Sequence, residues 1–256
     1  MTVPRHDAKF SDEVLDVLRR ILLDEARPVA GPIVDPFAGV GRLAEVGRKD
    51  IRGIELEPEW SSSARWIRQG NALDRRAYPR KVGAVVSSPC YGNRFADQYL
   101  GPLCPECDGV GLVSSTGSAK LVDMACPVCA DSGRDGRGRY GYAISLGRKV
   151  SEGSAASLQW GPKYRVFHLQ WLGVIAEKLE PGPRRLVLNM SDHYRGKEGR
   201  AYVCDWWVSA ARRFGFRLVE AYTADTDRNG HGQNHERRAE SEMVFVFDLG
   251  SRSDPE

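Results

Sequence analysis

Hydrophobic positions along this chain follow two alternating patterns. Residues 10–23 place apolar side chains on one helical face after Ser11, a residue type that caps helices, and residues 164–179 and 201–214 repeat this spacing. Short apolar runs, typical of buried strands, occur at 32–35, 50–58, 82–86, 185–190, 216–222 and 243–249. Because strands alternate with helices, we predict an α/β fold with a mostly parallel sheet. The last two strands lack an intervening helix, which predicts an antiparallel hairpin at the sheet edge.

The pattern changes between residues 95 and 159. Glycine, serine and charged residues dominate there, and the periodic spacing of apolar residues fades. We therefore predict a main domain made of residues 1–94 and 160–250, with an insertion at 95–159. Residues 251–256 are expected to form a disordered tail.

Length and charge leave several classes of partner open. A chain of 256 residues can bury a full core, and 37 basic against 34 acidic residues give a net charge of +3, too balanced to indicate nucleic-acid binding alone. No stretch approaches the apolar length of a membrane span, and the N-terminus lacks the apolar core of a signal peptide. We expect a cytoplasmic protein without a membrane partner. The oligomeric state is not indicated.

The strand predicted at 82–86 leads into Ser88-Pro89-Cys90-Tyr91, at the edge where an open α/β sheet exposes its chemistry. These four residues resemble the Asp/Asn/Ser-Pro-Pro-Tyr/Phe motif of S-adenosylmethionine-dependent amino methyltransferases, which modify adenine N6 or cytosine N4. The resemblance implies that Ser88 and the carbonyl of Pro89 accept hydrogen bonds from the exocyclic amine and concentrate its lone pair on nitrogen. It also implies that Tyr91 stacks on a base rotated out of its duplex.

Cys90 departs from this motif, in which a second proline is usual. A Pro-Cys pair at this strand end is similar to that of cytosine C5 methyltransferases, whose cysteine attacks C6 of the base. Those enzymes also use a glutamate in a Glu-Asn-Val motif on the next strand, whereas residues 186–190 read Leu-Val-Leu-Asn-Met. We therefore favour transfer to an amine and keep C5 transfer, with Cys90 as nucleophile, as the alternative.

Three segments upstream resemble the cofactor motifs of the same amino methyltransferases. Residues 35–41 read Asp-Pro-Phe-Ala-Gly-Val-Gly and lead into a predicted helix, residues 53–55 read Gly-Ile-Glu, and residues 70–72 read Gly-Asn-Ala in place of Gly-Asp-Ala. The resemblance implies that Glu55 holds the ribose hydroxyls and that Asn71 contacts the adenine. The implied S-adenosylmethionine contacts are Lys9, Phe10, Asp35, Phe37, Gly39, Gly41, Glu55 and Asn71.

Two Cys-x-x-Cys pairs occur in the insertion, Cys104 with Cys107 and Cys126 with Cys129, and glycines follow each pair. Four thiolates at this spacing predict a structural, tetrahedral Zn²⁺ site. The pairs resemble half of the zinc module of J-domain chaperones, a likeness that does not imply chaperone activity. Methyltransferases with this motif order carry their target-recognition region at this point, so the insertion either contacts DNA phosphates through its basic residues or is a solvated, zinc-bound loop.

Together these resemblances imply a class I, Rossmann-like methyltransferase fold with a seven-stranded, mostly parallel sheet, a C-terminal antiparallel hairpin and a small zinc-binding insertion. The implied activity is methyl transfer from S-adenosylmethionine to cytosine N4 or adenine N6 of a base flipped out of double-stranded DNA. An RNA amine, a protein glutamine amine and a catalytically silent nucleic-acid-binding module remain alternatives. The target base and the recognition sequence stay open. Because no nuclease motif is visible, we expect a stand-alone modification enzyme of a bacterium or phage.

Overall fold

The computed structural model describes residues 10–90, 106–107, 112–114, 123–126, 142–194, 199–225 and 241–250. The chain divides into two compact units: the first contains residues 1–94 and 151–256, and the second contains residues 95–150. None of the helices in the described ranges has the length and apolar character needed to cross a bilayer.

The first unit is built on one large sheet. The strands are, in chain order, β1 (Ile33–Asp35), β2 (Ile51–Glu55), β3 (Ile67–Gln69), β4 (Ala84–Ser87), β5 (Leu112–Ser114), β6 (Asp123–Ala125), β7 (Gly182–Met190), β8 (His193–Tyr194), β9 (Arg200–Ala201), β10 (Phe216–Asp225) and β11 (Ser241–Leu249). The large sheet has seven strands in the order β3-β2-β1-β4-β7-β11-β10. Strands β3 to β7 of this order run parallel, and β11 is antiparallel to both of its neighbours. The predicted class I arrangement, with its C-terminal hairpin, is confirmed.

Helices connect these strands. They are α1 (Asp12–Leu22), α2 (Pro58–Ser61), α3 (Tyr142–Leu146), α4 (Pro162–Lys178) and α5 (Val203–Arg212). Helix α1 begins at the predicted cap, where the Ser11 side chain accepts a hydrogen bond from the Val14 amide at 3.2 Å. The helix predicted after Gly41 is wrong in kind: Arg42–Val46 forms a five-residue 3₁₀ segment that ends at Gly47, whose φ is +93°.

Strand β4 lies at the centre of the sheet, and all four of its residues are buried. Val85 packs on one face with Trp171 of α4 and Trp207 of α5, whereas Ala84 and Val86 belong to the cluster on the other face that contains α1. Apolar side chains are therefore needed on both faces of this strand, which explains why its sequence is a continuous apolar run rather than an alternating one.

A buried guanidinium lies at the amino end of β7, away from the strand ends that carry the predicted motifs. Arg184 donates to the carbonyl of Ile21 at 2.7 Å and pairs with Asp24 at 2.7 Å, and its own amide donates to Asp248 at 2.8 Å. These contacts fix the end of α1 to the sheet. Because Arg184 is buried, its charge depends on these partners.

Replacing Arg184 by methionine is expected to lower the free energy of unfolding by about 2–3 kcal/mol, because the Ile21 carbonyl and the nearby carboxylates lose their buried partner. Methionine keeps the backbone at the φ of +50° found for Arg184, so backbone strain is unchanged. Arg217→Met is the matched control, since its ion pair with Asp248 is long, at 3.7 Å, and largely exposed. Urea denaturation of both variants checks the contrast; equal stabilities would contradict it.

Candidate active site

Polar side chains collect where β1, β2 and β4 end. Because these strands are adjacent or next-adjacent and parallel, their carboxyl ends meet at one edge of the sheet. Asp35 is the last residue of β1, Glu55 is the last residue of β2, and Ser88 follows β4 directly. The structure thus brings one residue from each predicted motif to a common edge.

Asp35 is held by its neighbours on two strands. Its Oδ1 atom accepts hydrogen bonds from the Phe37 amide at 3.1 Å and from Ser87 Oγ at 3.0 Å. Burial raises the pKa of Asp35 to about 7, although these two hydrogen bonds oppose the rise; the nearby Glu55 carboxylate adds to it. Ser87 was not among the predicted site residues, and its position next to Ser88 is the only sequence signal for it.

Glu55 is linked to the glycine-containing loop after β1. Its two carboxylate oxygens accept hydrogen bonds from the Gly39 amide at 2.8 Å and from the Glu57 amide at 2.9 Å. Burial raises the pKa of Glu55 to about 7 against the effect of these hydrogen bonds. Each oxygen keeps a second lone pair for a further donor. Within the described ranges, no lysine or arginine forms an ion pair with Asp35 or Glu55.

The loop between β1 and the 3₁₀ segment needs its glycines for two reasons. Gly39 and Gly41 have φ values of +52° and +87°, in the left-handed region that favours glycine. A Cβ atom on Gly41 would also lie only 2.5 Å from Cζ2 of Trp66. Phe37 packs on Trp171, with ring centroids 5.3 Å apart, so this loop is fixed to α4 as well.

Asn71 lies after β3 at the same edge of the sheet. Its side-chain oxygen accepts a hydrogen bond from the Leu73 amide at 2.8 Å, which closes a local turn. Its amide nitrogen faces the segment that follows the second unit, since a Cβ atom on Gly153 would lie 3.9 Å from it. The predicted contact of Asn71 with an adenine ring therefore depends on the amide NH₂ group or on the second lone pair of the oxygen.

Glu57 has a structural role that its sequence position did not reveal. It is buried, and its two oxygens accept hydrogen bonds from the amide and the hydroxyl of Ser151, both at 2.8 Å. Residues 151–153 are thereby attached beside the ends of β2 and β3. Glu57 was considered only as an acid in the first turn of α2, because a partner 94 positions later leaves no local signal.

Ser88 has a neighbour on the next strand. Asn189 is buried near the end of β7, and its Nδ2 atom lies 3.4 Å from Ser88 Oγ and 2.7 Å from an Oε atom of Glu242 on β11. Pro89 is buried and Cys90 is half-buried. Burial, followed by the charge of Glu55, raises the pKa of the Cys90 thiol to about 12.

Several predicted residues lie outside the described ranges, namely Lys9, Tyr91, Cys104 and Cys129. Phe10 is described, and its side chain is buried in the apolar cluster that contains α1. Cys107 and Cys126 are described and buried. The described residues contain no cluster of three or more His, Cys, Asp or Glu side chains that could hold a metal ion, a search that excludes two of the four predicted ligands.

Known proteins resemble this chain at low sequence identity. No protein-family model matches it. An S-adenosylmethionine-dependent methyltransferase from Clostridium acetobutylicum superposes with a TM-score of 0.48 at 7% identity, covering 96% of this chain and 94% of that one. The N-methyltransferase NodS from Bradyrhizobium japonicum, in complex with S-adenosyl-L-homocysteine, gives a TM-score of 0.48 at 9% identity and covers 96% and 90%.

A short sequence match points to a different kind of protein. Over 103 residues the chain is 31% identical to a histidinol-phosphate aminotransferase from Methanopyrus kandleri. The match covers 40% of this chain and spans only 26% of that protein.

Proposed function

We propose that this protein transfers a methyl group from S-adenosylmethionine to an exocyclic amine, cytosine N4 or adenine N6, of a base flipped out of double-stranded DNA. The observation that carries the proposal is the meeting of Asp35, Glu55 and Ser88 at one edge of a class I sheet. Each of these residues belongs to a motif that resembles the amino methyltransferases, and the fold brings the three motifs together.

The residues around β1 and β2 suit a cationic nucleoside cofactor. Asp35 and Glu55 are buried acids that lack a basic ion-pair partner within the described ranges, and a bound cation would complement them. Glu55 would hold ribose hydroxyls with its second lone pairs, and Asn71 would contact the adenine. Bound S-adenosylmethionine supplies an electrophilic methyl group on a sulfonium cation.

At Ser88 the chain supplies hydrogen-bond acceptors to the target amine. The exocyclic nitrogen of cytosine or adenine shares its lone pair with the ring and is a weak nucleophile. Acceptance of its N–H hydrogens by Ser88 Oγ and the Pro89 carbonyl would localise that lone pair before attack on the methyl group. After transfer the nitrogen carries an acidic proton, which leaves to solvent or to a neighbouring acceptor, so no dedicated general base is required.

Cytosine C5 transfer is disfavoured by the surroundings of Cys90. That reaction needs a thiolate to attack C6, and the pKa of Cys90 is raised to about 12 by burial and by the Glu55 carboxylate. No basic group that would lower it lies among the described ion pairs and hydrogen bonds of the Ser88 region.

Cys90→Ser is therefore expected to retain most of the methyl-transfer activity, because a small side chain without acid–base function replaces a neutral thiol. The measurement is the rate of methyl incorporation under single-turnover conditions. Loss of transfer, together with a covalent protein–DNA adduct formed by the wild type on a cytosine analogue that traps C5 enzymes, would instead identify Cys90 as the nucleophile.

Aromatic and basic side chains at the same sheet edge support a nucleic-acid substrate. Helix α4 begins at this edge, because Leu179 after its end pairs with Val82 before β4. The Arg165 guanidinium stacks over Trp160 at 4.9 Å, and the Arg200 guanidinium lies over Tyr202, which is 60% exposed, at 5.7 Å. Such pairs offer cations to phosphates and flat rings to unstacked bases.

We propose further that the second unit binds one structural Zn²⁺ through Cys104, Cys107, Cys126 and Cys129 and contacts the DNA target. The buried positions of Cys107 and Cys126 suit a structural rather than a catalytic metal. Metal analysis of the purified protein is expected to give about one zinc per chain, falling to near zero in Cys107→Ser. Cys204→Ser on α5 is the control and should keep its zinc. Full occupancy in Cys107→Ser would contradict the assignment.

The test of the proposed function is methyl transfer from labelled S-adenosylmethionine to unmodified DNA, followed by digestion to nucleosides and mass spectrometry. N4-methylcytosine or N6-methyladenine would support the proposal and identify the base. 5-Methylcytosine would transfer the chemistry to Cys90. Unlabelled DNA, with cofactor binding retained, would refute the DNA substrate, and the same assay on RNA would then be the next step.

A further inference from the structure

Asn189 occupies a defined position beside the proposed catalytic serine. Strands β4 and β7 pair in parallel with Ser87 opposite Leu188, so the next residue of each strand end, Ser88 and Asn189, lie side by side. Asn189 Nδ2 is 3.4 Å from Ser88 Oγ and 2.7 Å from Glu242 Oε2. The three side chains come from three neighbouring strands of the sheet.

Glu242 determines which end of the Asn189 amide faces Ser88. An asparagine amide can present either its oxygen or its NH₂ group, whereas an ionised carboxylate only accepts hydrogen bonds. The short contact with Glu242 therefore requires the NH₂ group on that side, and its second hydrogen is the one available to Ser88. The Ser88 hydroxyl then accepts from Asn189 and cannot donate to it.

This arrangement fixes the rotation of the Ser88 hydroxyl. One lone pair of Oγ is occupied by Asn189, so the other lone pair and the O–H group point elsewhere. A hydroxyl oriented before the substrate arrives does not need to reorganise when charge develops on the target amine. The same hydroxyl without Asn189 would rotate among several orientations and would present its acceptor lone pair for only part of the time.

We infer that Asn189, held by Glu242, is a positioning residue that orients Ser88 Oγ toward the exocyclic amine. The inference rests on the proposed function and deepens it, because it adds two residues that none of the motif resemblances includes. Asn189 acts through Ser88 and touches neither the methyl group nor the cofactor. Its removal should consequently slow the chemical step and leave cofactor binding unchanged.

Two variants of Asn189 separate orientation from packing. Asn189→Ala removes both the amide and its volume. Asn189→Asp keeps the shape but replaces the donor by an acceptor that repels Glu242, so a packing role would survive this change and an orienting role would not. Both variants are expected to lower the single-turnover rate by about tenfold, the effect of one hydrogen bond that acts in the transition state, with little change in KM for DNA.

A double-mutant cycle with Ser88→Ala tests whether Asn189 acts through Ser88. If it does, Asn189→Ala lowers the rate in the wild type but has no further effect in the Ser88→Ala background. Rates are measured with enzyme in excess of DNA, so that slow variants remain measurable, and cofactor affinity and melting temperature are recorded for each protein. Thr223→Val, an exposed change on β10, serves as a control for the sheet edge.

The outcomes distinguish the inference from the proposed function. Equal slowing by Asn189→Ala with and without Ser88, or wild-type rates for Asn189→Asp, would overturn the positioning role while methyl transfer itself stands. A stable, cofactor-binding wild type that methylates no DNA amine would refute the proposed function, and the inference with it. A variant that loses its melting transition or its cofactor affinity in parallel with its rate would show a structural role and also overturn the inference.

Discussion

Replacing Ser88 by alanine is expected to lower the single-turnover rate of DNA methylation by about 100- to 1,000-fold, the usual effect of removing one group that acts on developing charge. Ser88 supplies the side-chain acceptor for the target amine, and alanine offers none. Cofactor affinity should stay close to that of the wild type, because the residues proposed to hold the cofactor lie at the ends of β1, β2 and β3. Rapid quench of the methylation reaction gives the rate, and calorimetric titration gives the cofactor affinity.

Ser87→Ala is the matched control, since it makes the same chemical change one residue earlier. Ser87 Oγ donates to Asp35 and contributes to keeping the pKa of that carboxyl down, so its loss should raise the pKa of Asp35 further. The effect is then on cofactor binding near neutral pH, with the chemical step preserved at saturating cofactor. Full turnover by Ser88→Ala, or an identical phenotype in both variants, would remove Ser88 from the proposed chemistry.

The fold could be predicted from the sequence wherever burial dictates the residue pattern. Strand β4 and strand β7 are apolar runs because both of their faces are covered, and their existence and order followed directly. Strand β3 gave no such signal, since only Ile67 of its three residues is buried. Residues 42–46 were misassigned as a helix because glycines at 41 and 47, both at positive φ, confine the turn to five residues.

The candidate site was predictable only one strand end at a time. Asp35 and Glu55 could be identified because each ends an apolar strand within a recognisable motif. The pairs that connect different strands could not, because Ser87 with Asp35 and Asn189 with Glu242 are determined by sheet register between segments 52 and 53 residues apart. Single-sequence patterns describe which face a residue occupies, but they do not describe which side chain lies opposite.

Cofactor binding is expected to be about tenfold weaker at pH 6 than at pH 8 for each carboxyl that must be ionised in the complex. The pKa of Glu55 is raised from 4.5 to about 7 in the uncomplexed protein, so the group is largely protonated at pH 6 and accepts fewer hydrogen bonds from ribose hydroxyls. The same shift has the opposite effect on folding. Because the folded state binds the proton more tightly, this group's contribution to stability is lost as pH rises from about 4.5 to 7.

Glu55→Gln should abolish the part of this pH dependence that comes from Glu55. The glutamine resembles the protonated acid, since one of its two ends is a donor facing the Gly39 or the Glu57 amide, and we expect about 10- to 100-fold weaker cofactor binding at pH 8. Any pH dependence that remains between pH 6 and pH 8 would then belong to Asp35.

Glu57→Gln is the matched control for this prediction, because it makes the same substitution two residues later. Its partner Ser151 offers one amide and one hydroxyl, and the hydroxyl can change from donor to acceptor, so the glutamine keeps both hydrogen bonds. Calorimetric titration of both variants at pH 6, 7 and 8 gives the comparison. Wild-type affinity and pH dependence in Glu55→Gln, or equal losses in both variants, would mean that the cofactor does not depend on the charge at the end of β2.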